Sequence, residues 1–164
     1  MNPLVSDPEI NRRPLILHVQ KVAGISGSEA HLLSLLPRLR ERGWNIQFLM
    51  LHEDEPGAWY FAKELENLGV PVEGLRLAAD VDPVAFVKLC GLLLRRRPRI
   101  FHTHLVHADV YGQLAGTLCA VPTRFSTKHG FNEFREGRPF ALADRAVASL
   151  AHVHIAISRG LARY

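Results

Sequence analysis

The sequence predicts an α/β domain: a doubly wound, mainly parallel, Rossmann-like sheet flanked by helices. Three observations predict it. Short apolar runs alternate along most of the chain with longer segments of helical period, the signature of successive βαβ units. Glycines and histidines gather in the loops that follow the apolar runs, where a sheet of this kind opens its ligand crevice. The length of 164 residues suits one domain, or one lobe of something larger, with a single core.

Taken in order, Met1 to Pro14 holds three prolines, mixed charge and no periodicity, and reads as a flexible leader (1–14), so that order begins at Leu15. Leu15 to Val19 is the first strand. After a loop containing Gly24 and Gly27, the residues Leu32, Leu35, Leu36 and Leu39 recur at helical spacing up to Gly43, with Pro37 expected to bend or shorten that helix. Trp44 to Leu51 is a strand, Ala58 to Leu68 a helix closed by Gly69, and Val70 to Leu75 a strand. Asp82 and Pro83 fit an N-cap and first helical position, and the helix Val84 to Arg97 carries Arg95, Arg96 and Arg97 at its negative dipole end before Pro98 stops it. Ile100 to His104 is the fourth strand, Ala108 to Cys119 a helix, Thr123 to Lys128 the fifth strand, Phe140 to Leu150 a helix and Val153 to Ile157 the sixth strand. Ser158 to Tyr164 starts a further helix. Right-handed crossovers arrange six such strands as a doubly wound sheet.

Composition narrows the function classes. Hydrophobic residues at 48% and charged residues at 22% exclude a disordered chain. A net charge of +4 allows attraction to phosphates, nucleic acid or an anionic membrane without choosing among them. The two cysteines, Cys90 and Cys119, form no CxxC pair, which argues against a disulfide framework and for a reducing, cytoplasmic setting. No apolar signal region or uninterrupted membrane-length stretch is visible.

Three loops carry candidate chemistry. Gly24-Ile25-Ser26-Gly27-Ser28-Glu29 lies between a strand and a helix N-terminus, where backbone N–H groups favour an anion; it matches neither the dinucleotide fingerprint nor the P-loop, and an N-capped βα turn explains it equally. His102-Thr103-His104-Leu105-Val106-His107 suggests zinc, packing or recognition of a polar substrate, because alternation aims His102 and His104 to one face. Thr127-Lys128-His129-Gly130-Phe131-Asn132 ends a strand with a histidine able to reach a sugar hydroxyl or phosphate, followed by Arg135 and Arg138. The run Arg95-Arg96-Arg97-Pro98-Arg99 is a helix-end cluster or an anionic-lipid contact; it lacks the interleaved aromatics of a nucleic-acid surface.

Read together, the loop ending in Gly27-Ser28-Glu29, the leucine-rich helix after it, the strand Pro98 to His104, Ala120-Val121-Pro122, Thr127-Lys128-His129-Gly130 and Ala156-Ile157-Ser158 resemble the N-terminal domain of a family 4 glycosyltransferase of GT-B fold. The resemblance covers Leu15 to Tyr164. It implies a retaining, metal-free hexosyl transfer from a nucleotide-sugar donor to a saccharide or lipid-linked acceptor, with no cofactor, in a cleft between two Rossmann-like lobes. By that analogy Gly24, Gly27 and Ser28 lie by the donor diphosphate and His129 is the catalytic candidate touching the transferred sugar. His104, Asn132 and Arg135 line the acceptor side. The resemblance further implies a C-terminal donor-binding domain after Tyr164, without which this chain is expected to be inactive. Two other readings stay open: a dinucleotide-binding domain of an oxidoreductase using Glu53 for a ribose, and a zinc hydrolase built on His102, His104 and His107.

Overall fold

A computed structural model describes residues 8–129, 147 and 149–162. The helices are α1 (Pro8–Arg12), α2 (Gly27–Glu41), α3 (Pro56–Asn67), α4 (Pro83–Arg96), α5 (Leu105–Leu118) and α6 (Arg159–Ala162). The strands are β1 (Ile16–Lys21), β2 (Ile46–His52), β3 (Val72–Arg76), β4 (Ile100–His104), β5 (Thr123–Lys128) and β6 (Val153–Ala156). They form one sheet in the order β3-β2-β1-β4-β5-β6, parallel at every pairing. Strand order reverses between β1 and β4, so the loops after these two strands diverge and leave a crevice at their carboxyl ends. The helix expected over Phe140 to Leu150 falls mostly outside the described residues.

Strand alternation divides the core into two layers. Leu17 and Val19 of β1, Leu49 and Leu51 of β2 and Phe101 of β4 face α4 and α5, where they bury with Leu89, Leu93, Ala108 and Ala115. Ile46, Phe48 and Met50 face the other way, against Leu32, Leu36, Phe61 and Leu65 of α2 and α3. His18 and Gln20 of β1 share this second face with His102 and His104 of β4, because the register pairs His18 with His102 and Gln20 with His104. Imidazoles and an amide thus occupy positions that a purely structural sheet fills with aliphatic side chains.

Order begins earlier than Leu15. Within the expected leader, Pro8–Arg12 forms α1 and buries Ile10. Two polar side chains far along the sequence hold this segment: Asn45 Nδ2 donates to the carbonyls of Asn11 (3.3 Å) and Arg13 (2.9 Å), and the buried Arg40 donates to Asn11 Oδ1 (3.2 Å) and Ile46 O (3.1 Å). Pro37 does not shorten α2, which continues through it to Glu41. α5 starts at Leu105, three residues before the expected Ala108, directly from β4. The turn is made by Leu105 itself, whose φ of 65° lies in the left-handed region that branched side chains avoid.

Cys90 and Cys119 are both free thiols. Cys119 Sγ lies 3.6 Å from the Cys90 carbonyl oxygen, and burial, with Cys90 adjacent, pushes its thiol up to about 11. At pH 8 only about one part in a thousand is then thiolate, the reactive form. Alkylation of Cys119 by iodoacetamide at pH 8 is therefore expected to run at least about tenfold slower than that of a cysteine in a short peptide. Equal rates, read by peptide mass spectrometry, would show the thiol to be open.

Candidate functional site

The crevice at the β1/β4 reversal has a volume of about 540 Å3. Gly27, Ser28 and His31 of α2 form one wall, and His102, His104, Thr127 and His129 from the ends of β4 and β5 form the floor. Ile155 and Ile157, at β6, close the far side. One side therefore offers hydrogen-bonding groups and the other an apolar surface, the mixture that binds and orients a small polar ligand.

The loop wall is stiffened by its own carboxylate. Glu29 is buried, and its Oε2 accepts from the Ser26 backbone N–H (3.0 Å), from the Ser26 hydroxyl and from Ser28 Oγ (3.1 Å). Gln20 Nε2 donates to Glu29 Oε1 and to Ser28 Oγ at 3.2 Å. A carboxylate in the first turn complements the positive helix end, so Glu29 both anchors the loop to β1 and occupies part of the anion-stabilising capacity of α2. Gln20 Oε1 is buried with no partner among the described residues.

The floor is a chain of imidazoles. His18 Nδ1 lies 3.0 Å from His104 Nε2, and His104 Nδ1 lies 3.1 Å from His129 Nε2. The ring of His31 meets that of His129 edge-on at 5.6 Å. Beside the chain, His102 Nε2 bonds Thr127 Oγ1 at 2.7 Å and its ring stacks on His104 at 4.3 Å. Burial, reinforced by the charge His102 would carry, holds His18 and His104 well below the ordinary imidazole value. Burial and then His129 lower His102 to about 4. His129, half-buried, is lowered by burial and by His31, against the opposing pull of Glu29 and Asp109.

A neutral imidazole has one donor and one acceptor, so this chain admits only two proton arrangements. If His18 donates from Nδ1, His104 accepts at Nε2 and donates from Nδ1; His129 then accepts at Nε2 and carries its own proton on Nδ1. In the reverse arrangement His129 donates inward from Nε2 and leaves an Nδ1 lone pair. The residue that faces the crevice has its hydrogen-bonding sense set by one buried about two imidazoles away.

The structure brings together Gly27, Ser28, His104 and His129 from the sequence-derived set. Gly24 does not line the crevice; its Cα lies close to Gly57 at the start of α3. Asn132 and Arg135 lie outside the described residues. The proposed trio of His102, His104 and His107 is not formed: His107 is half-exposed on α5, with Nε2 3.3 Å from Asp80. Its place is taken by His18, whose ligand nitrogen lies within 4.8 Å of those of His102 and His104. In this arrangement His18 Nδ1 and His104 Nε2 bond each other and His102 Nε2 bonds Thr127 Oγ1, so an ion held there would compete with these contacts. Glu53, the ribose candidate of the oxidoreductase reading, is ion-paired with Lys21, which also contacts Asp80 at 3.0 Å. His18, His31 and Gln20 were not singled out in the sequence; a histidine and a glutamine alternating with Leu17 and Val19 inside an apolar strand are the signal that marks two of them.

A six-stranded parallel sheet that reverses at β1/β4 and gathers imidazoles and helix-end amides at that point defines a Rossmann-like, ligand-binding α/β domain. Comparison with known proteins makes this specific. The chain belongs to the glycosyl transferase 4-like domain family, whose model matches residues 26–164, and it has the character of an N-terminal domain of family 4 glycosyltransferases. It is 28% identical over 116 residues to the Escherichia coli UDP-Gal:alpha-D-GlcNAc-diphosphoundecaprenol alpha-1,3-galactosyltransferase, a match covering 71% of this chain and 30% of that protein. Among solved structures, Anabaena HepE in complex with UDP superposes with a TM-score of 0.64 at 17% identity, over 90% of this chain and 38% of that one. The lipopolysaccharide outer core galactosyltransferase WaaB, in its apo form, gives 0.64 at 15% identity, over 91% and 40%. A putative oxidoreductase from Escherichia coli gives 0.55 at 16% identity, over 84% and 67%. The chain thus spans well under half the length of the glycosyltransferases it matches.

Proposed function

We propose that this chain is the acceptor-side half of a retaining glycosyltransferase that moves a hexose from a nucleotide-sugar to a saccharide or lipid-linked acceptor. The observation that carries this reading is the meeting of Gly27, Ser28, His104 and His129 on one crevice from three separate stretches of sequence. Backbone N–H groups at the start of α2 face the position of a donor diphosphate. Neutral His129 meets a hydroxyl of the transferred sugar, donating or accepting according to the proton arrangement behind it. His104 supports His129 from beneath, and the apolar side at Ile155 and Ile157 takes the less polar part of the acceptor. The relatives are a UDP-galactose transferase and a UDP-bound protein, which makes a uridine nucleotide the first donor to test. No residue of this crevice is assigned to a metal, and the second, donor-binding lobe is supplied by further polypeptide.

The test is amide and imidazole chemical-shift mapping of the 164-residue chain with UDP-galactose, UDP and NAD in parallel. The largest shifts are expected at Gly27, Ser28 and His129 with UDP-galactose, with weak affinity. His129→Ala is expected to lower affinity for UDP-galactose about tenfold while leaving that for UDP nearly unchanged, since it removes one hydrogen bond to the sugar. Saturable micromolar NAD binding with no response to UDP-galactose would favour the oxidoreductase reading instead. Robust transfer from a labelled donor by this chain alone would overturn its assignment as one half of the enzyme.

A further inference from the structure

The imidazole chain has two ends in unlike surroundings. At the outer end His129 lines the crevice with Nε2 bonded to His104, so its Nδ1 is the ring nitrogen left for ligand or solvent. At the inner end His18 is buried with Nδ1 bonded to His104, and among the described residues its Nε2 makes no hydrogen bond. His102 packs beside both inner rings, 4.7 Å from His18 and 4.3 Å from His104 between centroids, and hinders the ring flip that would put carbon in place of a bonded nitrogen. Burial lowers all three imidazoles of the chain, so each is neutral at pH 7.5 and offers one donor and one acceptor.

The two proton arrangements of this chain are therefore unequal. Each N···N gap, 3.0 and 3.1 Å, holds one proton, because two N–H groups or two lone pairs would repel across it. All three rings then carry the proton on the same nitrogen, Nδ1 throughout or Nε2 throughout. With Nε2 throughout, His18 buries an N–H that has no acceptor; with Nδ1 throughout, it buries only a lone pair. Folded proteins tolerate an unfilled acceptor more readily than an orphaned N–H. At the other end solvent satisfies His129 in either form and does not discriminate. We infer that His18 is a positioning residue that sets specificity: through His104 it holds the His129 proton on Nδ1, so the crevice presents an N–H donor there and selects a ligand with an acceptor oxygen. A sugar hydroxyl turned to accept, a ring oxygen or a phosphate oxygen satisfies that donor, and a group that can only donate does not. The proton sense stands on the geometry of the free chain; its bearing on a sugar rests on the glycosyl-transfer function proposed above.

The experiment is imidazole nitrogen-15 NMR of the ligand-free 164-residue chain at pH 7.5. His18, His104 and His129 are each expected to be protonated on Nδ1, with nitrogen–nitrogen coupling across both hydrogen bonds. His18→Met places an uncharged group that only accepts opposite His104 Nε2, and is expected to move the protons of His104 and His129 largely to Nε2. His18→Gln can donate as His18 does and is expected to keep His129 on Nδ1. In titrations with UDP-galactose, His18→Met is expected to lower affinity several-fold, as loss of one hydrogen bond two residues away would, and His18→Gln to leave it within about twofold. UDP, which lacks the sugar, is expected to bind all three chains alike. Protonation of wild-type His129 on Nε2, or of the three rings on unlike nitrogens, would overturn the inference, and so would a His129 tautomer indifferent to His18→Met. That first measurement needs only the wild type, so a variant that fails to fold does not shield the inference. A chain protonated on Nδ1 throughout that ignores UDP-galactose would instead refute the proposed function and leave the proton arrangement standing.

Discussion

Acidification from pH 7.5 to 5 is expected to remove a large part of the stability of this chain. His18, His102 and His104 are held neutral in the folded state, with values below the ordinary imidazole value by burial, whereas in the unfolded chain they titrate near 6.5. The unfolded state therefore binds more protons once the pH falls below about 6.5, and protonation pulls the equilibrium towards it. Stability is complete above that pH and falls through a window that for His102 extends to about 4. Each group adds a slope of up to about 1.4 kcal/mol per pH unit, and three together approach about 4. Urea unfolding at pH 7.5, 6 and 5 reads the slope directly. His102→Gln removes one titrating group and is expected to flatten the profile by about a third, whatever it costs at neutral pH. A midpoint constant from pH 7.5 to 5 would mean that the imidazole chain is solvated and not the buried floor described above.

Replacement of Asp109 by Ala is expected to destabilise the chain by about 3 kcal/mol at neutral pH. Asp109 is buried on the α5 side of β4, where it accepts from the Thr103 hydroxyl and pairs with Lys128 at the end of β5. Gln113 completes the group by donating to Thr103 Oγ1 (2.7 Å) and to the Phe125 carbonyl (3.0 Å). Removing the carboxylate takes a buried acceptor away from both the Thr103 hydroxyl and the largely buried Lys128 ammonium, a costly way to break such a pair. Asp109→Asn keeps the shape and an acceptor and is expected to cost about half as much. Asp109→Ala combined with Lys128→Met is expected to recover part of the loss, because it discards both charges together. A single-site loss below about 0.5 kcal/mol in guanidinium titration would place the pair among solvent-screened surface interactions.

Much of the fold was legible because it is written locally. β4 and β5 begin and end at the residues expected of them, and Asp82-Pro83 marks the start of α4 through hydrogen bonds from Val84 and Ala85 to the Asp82 carboxylate. α1 was illegible because one apolar residue, Ile10, carries no periodicity and its anchors Arg40 and Asn45 lie about thirty residues away. The site divides in the same manner. His102 and His104 share a face by strand alternation, which a sequence displays. His18 joins them only through the register of β1 against β4, which a sequence does not. The early start of α5 escaped because a leucine in the left-handed region breaks the rule by which such turns are recognised.

The glycine at position 57 sets how closely α3 approaches the loop before α2. A methyl group added there would lie 2.5 Å from the Ala23 carbonyl oxygen and 3.0 Å from Gly24 Cα, so α3 presses directly upon the rear of the first loop. Any larger residue at 57 forces either the Ala23–Gly24 backbone or the start of α3 to shift, while every residue lining the crevice stays the same. The spacing between α3 and the segment that leads into α2 is thus fixed by the absence of one side chain.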